Sequence, residues 1–186
     1  LAAIPAATQR NGGKPALIGI EASGDLAEGV EDYLNRFSPK EAVVINRAGL
    51  TIPQAEKTIH LEAATPSALS LLLAETYWNE SQRVVMVDAT DYAGGLLGAS
   101  VAARLGAPLL IVDANIGEMQ STLDALKVQE TLYLSLDESA QAPSGDVTFL
   151  DGIQSVLKWL KDNSVTVDYI ALTNPADREM GRAQKL

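Results

Sequence analysis

Short apolar runs alternate with amphipathic segments along most of this 186-residue chain. Runs that are apolar at every position indicate strands covered on both faces, as in a parallel sheet between helices. The runs at 84–87 and 109–112 are of this kind, and further strand-like runs occupy residues 16–20, 42–45, 131–136, 147–150 and 169–172, with a shorter candidate at 58–61.

Between these runs, apolar residues recur at helical spacing. The clearest stripe follows positions i, i+3, i+4 and i+7 and predicts a helix that buries one face. Its members are Ile153, Val156, Leu157 and Leu160. Asp151 precedes this stripe as a candidate N-cap, and Thr65 followed by Pro66 predicts the start of another helix.

The alternation of strands and helices predicts an α/β fold: a mainly parallel sheet with helices on both faces, Rossmann-like or Toprim-like. The length suits a single α/β domain over residues 1–186. Residues 20–29 are similar to residues 87–95, so the sequence also allows an alternative domain organisation. It has two related β-α-β pseudo-repeats, about 14–80 and 81–140, and a C-terminal β-α-β extension at about 146–176.

Residues 83–115 read as one complete β-α-β unit, with a strand, a glycine-containing turn, a helix and a second strand. Asp88 and Asp113 fall at the carboxyl ends of its two strands. Open α/β sheets usually place their ligands at that edge. The unit therefore predicts where a site would lie.

Charge and composition narrow the classes of partner. The formal net charge is −10, whereas proteins bind nucleic acids and anionic membranes through clustered Lys and Arg. Neither nucleic acid nor an anionic membrane surface is therefore expected as a partner. No apolar run approaches the roughly 20 residues of a membrane helix, so membrane insertion is not expected. The chain has no cysteine and one histidine, which excludes disulfides, thiolate metal sites and a His-rich zinc site.

Five acids follow predicted strands and form the first candidate site: Glu21, Asp25, Asp88, Asp91 and Asp113. Carboxylate oxygens hold Mg²⁺ or Ca²⁺, and the first four are the candidate metal ligands. Glu21 to Asp25 and Asp88 to Asp91 faintly resemble the acidic elements of Toprim-type nucleases and primases, with Asp-x-x-Asp in place of Asp-x-Asp. The alternative is helix capping, because acids in a first turn favour the helix dipole.

Gly94, Gly95 and Gly98 open the helix of the 83–115 unit and form the second candidate. Free N–H groups at a helix start attract anions, so Gly94 and Gly95 are candidate ligand-binding residues beside Asp88, Asp91 and Asp113. The spacing matches neither common phosphate-loop pattern. The alternative is that small residues allow the helix to pack closely on the sheet.

Residues 83–136 resemble the type 2 cell-wall-binding repeat of bacterial surface proteins. That family has a strand, a turn with an Asp-Ala-Leu signature, a helix of leucine and small residues, then Gly-Ala-Pro and an apolar strand. Here Gly106-Ala107-Pro108 leads into the apolar run at 109–112. At the signature position, the chain has Gly94-Gly95-Leu96.

The resemblance implies a non-catalytic, exported domain at the cell surface or in the periplasm. Its partners would be a surface polymer or protein and the other domains of a larger parent protein, with no cofactor. The alternative function is a metal-dependent enzyme or binding domain that uses the acidic cluster with Mg²⁺ or Ca²⁺, and the alternative location is the cytoplasm.

Overall fold

The protein is described by a computed structural model that covers residues 1–10, 18, 26, 28–47, 49–113, 119–137, 140–141 and 145–166. The helices in these ranges are α1 (Ala3–Arg10), α2 (Glu28–Phe37), α3 (Pro66–Tyr77), α4 (Tyr92–Leu105), α5 (Gln120–Ala125) and α6 (Gly152–Asp162). The strands are β1 (Glu41–Ile45), β2 (Lys57–Leu61), β3 (Arg83–Asp88), β4 (Leu109–Val112), β5 (Glu130–Ser135) and β6 (Thr148–Asp151).

Four strands form the larger sheet, in the order β4-β3-β5-β6, and every neighbouring pair is parallel. Met86 of β3 lies opposite Leu110 of β4 on one side and Tyr133 of β5 on the other. The predicted α/β class with a mainly parallel sheet is confirmed.

Alternate residues of the larger sheet face two separate cores, because successive side chains of a strand point to opposite faces. Val84, Met86 and Leu110 face the core that contains the buried residues of α3 and α5. Val85 and Val87 face the other core, with buried residues of α4 and α6. The run at 84–87 in β3 is therefore apolar at every position because helices cover both faces.

Helix α1 packs against both α3 and α4, which lie on opposite faces of the larger sheet. Ala2 and Ala6 join the α3 core, whereas Leu1 and Ile4 pack against the α4 core. Helix α1 thus contacts the helices of both layers.

The turn from α4 into β4 shows how local sequence sets this layout. Gly106 ends α4 in the left-handed conformation with φ 65°, which glycine adopts without steric cost. The Ala107 N–H then donates to the Ala102 carbonyl, as in a Schellman cap. Pro108 accepts from the Val85 N–H and so begins the pairing of β4 with β3.

The smaller sheet consists of β1 and β2, which are parallel and pair with each other. The uncertain strand candidate at 58–61 is thus confirmed as β2. Among the described residues, the core of the smaller sheet is small and comprises Leu34 of α2, Val44 of β1 and Ile52. Within the described part of the chain, the parallel strands fall into two sheets instead of one.

Three expectations about individual elements have mixed outcomes. Thr65 caps α3 as predicted, since its hydroxyl accepts from the Ala68 N–H at 3.1 Å. Asp151 occupies the N-cap position of α6, but its side chain makes no capping hydrogen bond. Apart from residue 18, the predicted strands at 16–20 and 169–172 lie outside the described residues, so the pseudo-repeat organisation stays a prediction.

Candidate functional site

The ends of the four parallel strands place polar residues along one side of the larger sheet, which we term the carboxyl edge. In sheet order it is formed by Asp113, Asp88, Ser135 and Asp151. Asp88 lies opposite Val112, the residue before Asp113, and Ser135 lies opposite Asp151. Asp113 and Asp151 are exposed, whereas Asp88 is half-buried. The structure thus brings Asp88 and Asp113 to one edge, as the sequence predicted.

Asp91 connects the start of α4 to the end of β5. One of its carboxylate oxygens, Oδ1, accepts from the Gly94 N–H at 2.7 Å and caps the helix. The other, Oδ2, accepts from the Ser135 hydroxyl at 2.9 Å and from the Leu136 N–H at 2.7 Å. Three donors of the protein itself therefore occupy this carboxylate, which favours the capping interpretation over a ligand role.

Gly94 lies directly beneath that carboxylate. A Cβ atom at Gly94 would collide with Oδ2 of Asp91, so a larger residue would displace the cap. The family that the unit resembles keeps its signature aspartate at this position. In this chain the acid is instead Asp91, three residues earlier, and it folds back over the glycine.

Gly94 and Gly95 are both buried within α4, so their ligand-binding role stays a prediction. A Cβ atom at Gly95 would lie 2.5 Å from Cδ1 of Leu1. At Gly98 it would lie 2.5 Å from Cγ1 of Val87 on β3. The glycines thus let α4 approach the sheet and α1 closely, which is the packing alternative.

Asp88 shapes the loop after β3. Its Oδ1 accepts from the Thr90 N–H at 2.7 Å and from the Thr90 hydroxyl at 2.5 Å. This pattern is an Asx turn, in which a side chain replaces a backbone acceptor. The described contacts of Asp88 are therefore local and position the chain for the Asp91 cap.

The charge of these two acids reaches the core. Tyr133 of β5 is buried beside Phe149, with 6.0 Å between the ring centroids. Burial raises the pKa of the Tyr133 phenol above its ordinary value, and the nearby carboxylates of Asp88 and Asp91 raise it further. Both causes oppose the charged phenolate, so Tyr133 stays neutral well into the alkaline range.

Asp88 and Asp91 are the two predicted metal ligands that the structure describes. Glu21 and Asp25, two of the four predicted ligands, lie outside the described residues. Among the residues that are described, no group of three or more His, Cys, Asp and Glu side chains is arranged to hold a metal ion. The four-acid metal site stays a prediction.

Two exposed apolar side chains flank the carboxyl edge and are not among the predicted site residues. Tyr92 begins α4 and is 40% exposed, and Ile153 lies in the first turn of α6 and is 47% exposed. The prediction that Ile153 faces the core is wrong. Helix α6 starts directly after β6, so its first turn lies at the end of that strand, and Val156 and Leu160 further along the helix are buried instead. The signal in the sequence that could have identified Tyr92 as a site residue is its position directly after the capping Asp91.

No protein-family model matches the chain, and no curated protein or solved structure shows significant similarity to it. Among the described residues, no helix is both long enough and apolar enough to cross a membrane. The resemblance to the cell-wall-binding repeat therefore rests on the sequence of residues 83–136.

Proposed function

We propose that the chain is a non-catalytic, exported α/β domain of a surface protein that binds a polysaccharide through its carboxyl edge. The observation that carries the proposal is the agreement between the resemblance and the fold of residues 83–113 and 119–136. The residues that resemble the family's Gly-Ala-Pro segment form the turn into β4, and the helix of small residues packs closely on the sheet.

The use of the acids supports a non-catalytic role. A catalytic or metal-binding carboxylate needs at least one oxygen available to a substrate or an ion. Both oxygens of Asp91 accept from protein donors, so this acid serves the local structure. The hydrogen bonds from Thr90 to Asp88 use Oδ1, so the metal-dependent alternative depends on Oδ2 of Asp88.

The exposed residues of the edge support a polysaccharide as the partner. Tyr92 offers part of an aromatic ring to pack against the apolar face of a sugar, and the Asp113 carboxylate accepts hydrogen bonds from hydroxyl groups. Because Asp88, Asp113 and Asp151 make the edge negative, it repels an anionic polymer. The favoured partner is thus a neutral polysaccharide or one that carries amino sugars.

Co-sedimentation of the purified chain with isolated, insoluble cell-wall polysaccharide tests this proposal. Tyr92→Ala is expected to weaken binding at least about fivefold, equivalent to ~1 kcal/mol, because it removes the proposed aromatic contact. Tyr33→Ala is the matched control, since Tyr33 is 46% exposed but lies on α2, which contributes no residue to the carboxyl edge. It is expected to bind like the parent chain.

Two results would contradict the proposal. Equal losses of binding for Tyr92→Ala and Tyr33→Ala would exclude the carboxyl edge as the site. Calorimetric binding of Mg²⁺, Mn²⁺ or Ca²⁺ that disappears in Asp88→Ala would favour the metal-dependent alternative instead. Fractionation of the producing cells tests export separately, because a purely cytosolic protein does not meet cell-wall polysaccharide.

A further inference from the structure

Asn79, Glu80 and Ser81 form the sequence N-x-S, the acceptor pattern for N-linked glycosylation. The chain has seven asparagines, and Asn79 alone has serine or threonine two positions later without an intervening proline. The pattern is short and occurs by chance, so its structural position decides whether it is meaningful.

The structure places Asn79 on the surface, in the loop between α3 and β3. The residues on either side are anchored: the Trp78 indole N–H donates to the Gly106 carbonyl at 2.7 Å, and the Ser81 N–H donates to the Leu126 carbonyl at 2.8 Å. The side chain of Asn79 is exposed between these anchors. The folded core therefore accommodates a glycan on this amide without rearrangement.

A shallow polar cavity of about 210 Å³ adjoins this loop. Its lining includes Gln9, Glu80 and Gln82, whose side chains offer hydrogen-bond donors and acceptors. Glu80 and Ser81, the two residues that follow Asn79, also line this cavity, so open space adjoins the acceptor loop.

We propose that Asn79 is the acceptor of an N-linked glycan. The donor would be an oligosaccharide carried on a polyprenyl phosphate or diphosphate, transferred by a membrane oligosaccharyltransferase. A bond forms between Nδ2 of Asn79 and the anomeric carbon of the first sugar, and the bond from that carbon to the phosphate oxygen breaks. Nδ2 loses one proton, and the lipid phosphate is the leaving group. The inference rests on the proposed export, because such transfer occurs on translocated chains.

The folded structure also indicates when the transfer takes place. Ser81 is buried, and its hydroxyl donates to the Arg83 carbonyl at 2.6 Å. A transferase that recognises this hydroxyl cannot reach it in the folded protein. Modification therefore precedes folding of this loop, and the folded chain is not a substrate.

The glycan would lie at the end of the larger sheet opposite the carboxyl edge. Asn79 precedes Arg83, the first residue of β3, whereas Asp88 is the last. Five residue steps along a strand span roughly 17 Å. A glycan on Asn79 would thus shield the amino end of the sheet and leave the carboxyl edge open to a partner.

Mass spectrometry of the protein from the exported fraction of its own cells tests the inference. The tryptic peptide 58–83 contains Asn79 and is expected to carry a glycan mass that peptide N-glycosidase removes, with conversion of Asn79 to Asp. Asn79→Gln and Ser81→Ala are expected to abolish the modification, whereas Ser81→Thr retains it. Asn163→Gln is the control, because Asn163 is exposed but lacks the acceptor pattern.

The outcomes separate this inference from the proposed function. Unmodified Asn79 in exported protein, or a glycan that persists in Asn79→Gln, would overturn the inference and leave polysaccharide binding untouched. Exclusively cytosolic protein would contradict the proposed export as well. Because Asn79 is exposed, Asn79→Gln is expected to fold normally, which an unchanged far-UV circular dichroism spectrum would establish.

Discussion

The larger and smaller sheets are both parallel, yet they differ in how much apolar surface each one buries. The larger sheet separates two cores, and Val84, Val85 and Met86 of its β3 strand are fully buried. Among the described residues, the smaller sheet has one core with three buried residues. Since burial of apolar area is the main stabilising contribution to folding, parallel pairing alone does not make the two regions equally stable.

A matched pair of leucines provides the strongest test of this difference. Leu134→Ala in β5 is expected to lower the free energy of unfolding by about 2–5 kcal/mol, because Leu134 has no exposed surface and its loss leaves a cavity. Leu34→Ala in α2 is expected to cost less than half as much, since Leu34 belongs to the small core. Urea denaturation measures both values.

Hydrogen exchange sharpens the same comparison. Leu34→Ala should accelerate exchange of the β1 and β2 amides and leave β3 and β5 protected. If the two leucine variants lost equal free energy and exposed all strands together, the two sheets would form one cooperative structure, and the comparison would fail.

The Asp91 cap gives the next largest effect. Asp91→Ala leaves three donors without their acceptor, including the half-buried Leu136 N–H, and is expected to cost about 1–3 kcal/mol. Asp113→Ala, at the same edge but exposed, should change stability by less than about 0.5 kcal/mol. Thermal or urea unfolding of the two variants measures the difference, and similar costs would contradict the structural role of Asp91.

The raised pKa of Tyr133 predicts a smaller effect that is confined to alkaline solution. Above about pH 10, the unfolded chain releases this proton while the folded chain retains it, so stability falls as the pH rises through the folded pKa. Below pH 10 the contribution is fully present. Tyr133→Phe should flatten the alkaline decline in unfolding free energy, which urea denaturation of the variant and the parent chain over the alkaline range measures.

The ion pair between Arg10 of α1 and Glu41 of β1 should have the smallest effect. It is one of the described contacts between the helix beside the larger sheet and the smaller sheet, and both side chains are partly exposed. A double-mutant cycle with Arg10→Ala and Glu41→Ala should yield a coupling energy of about 0.2–1 kcal/mol that decreases with salt. A coupling of several kcal/mol would mean that this pair holds the two sheets together.

Much of the candidate site could be located from the sequence, but its chemistry could not. The run at 84–87 followed by Asp88 was sufficient to place an acid at the end of a parallel strand, because strand length and polarity are local properties. The sequence could not show that both carboxylate oxygens of Asp91 accept hydrogen bonds from the protein. One of their donors, Ser135, is 44 residues away along the chain and reaches Asp91 because β5 pairs with β3.

By itself, the sequence determined the α/β class, the cap at Thr65 and the turn through Gly106 to Pro108, since each depends on spacing or backbone preference within a few residues. The tertiary structure decided the sheet order, the separation of β1 and β2, the burial of Gly94 and Gly95 and the exposure of Tyr92 and Ile153. These features depend on which distant segments share a surface. The spacing of apolar residues along a helix cannot show where the sheet beneath it ends. For that reason the stripe predicted Ile153 in the core, whereas the residue is exposed at the carboxyl edge.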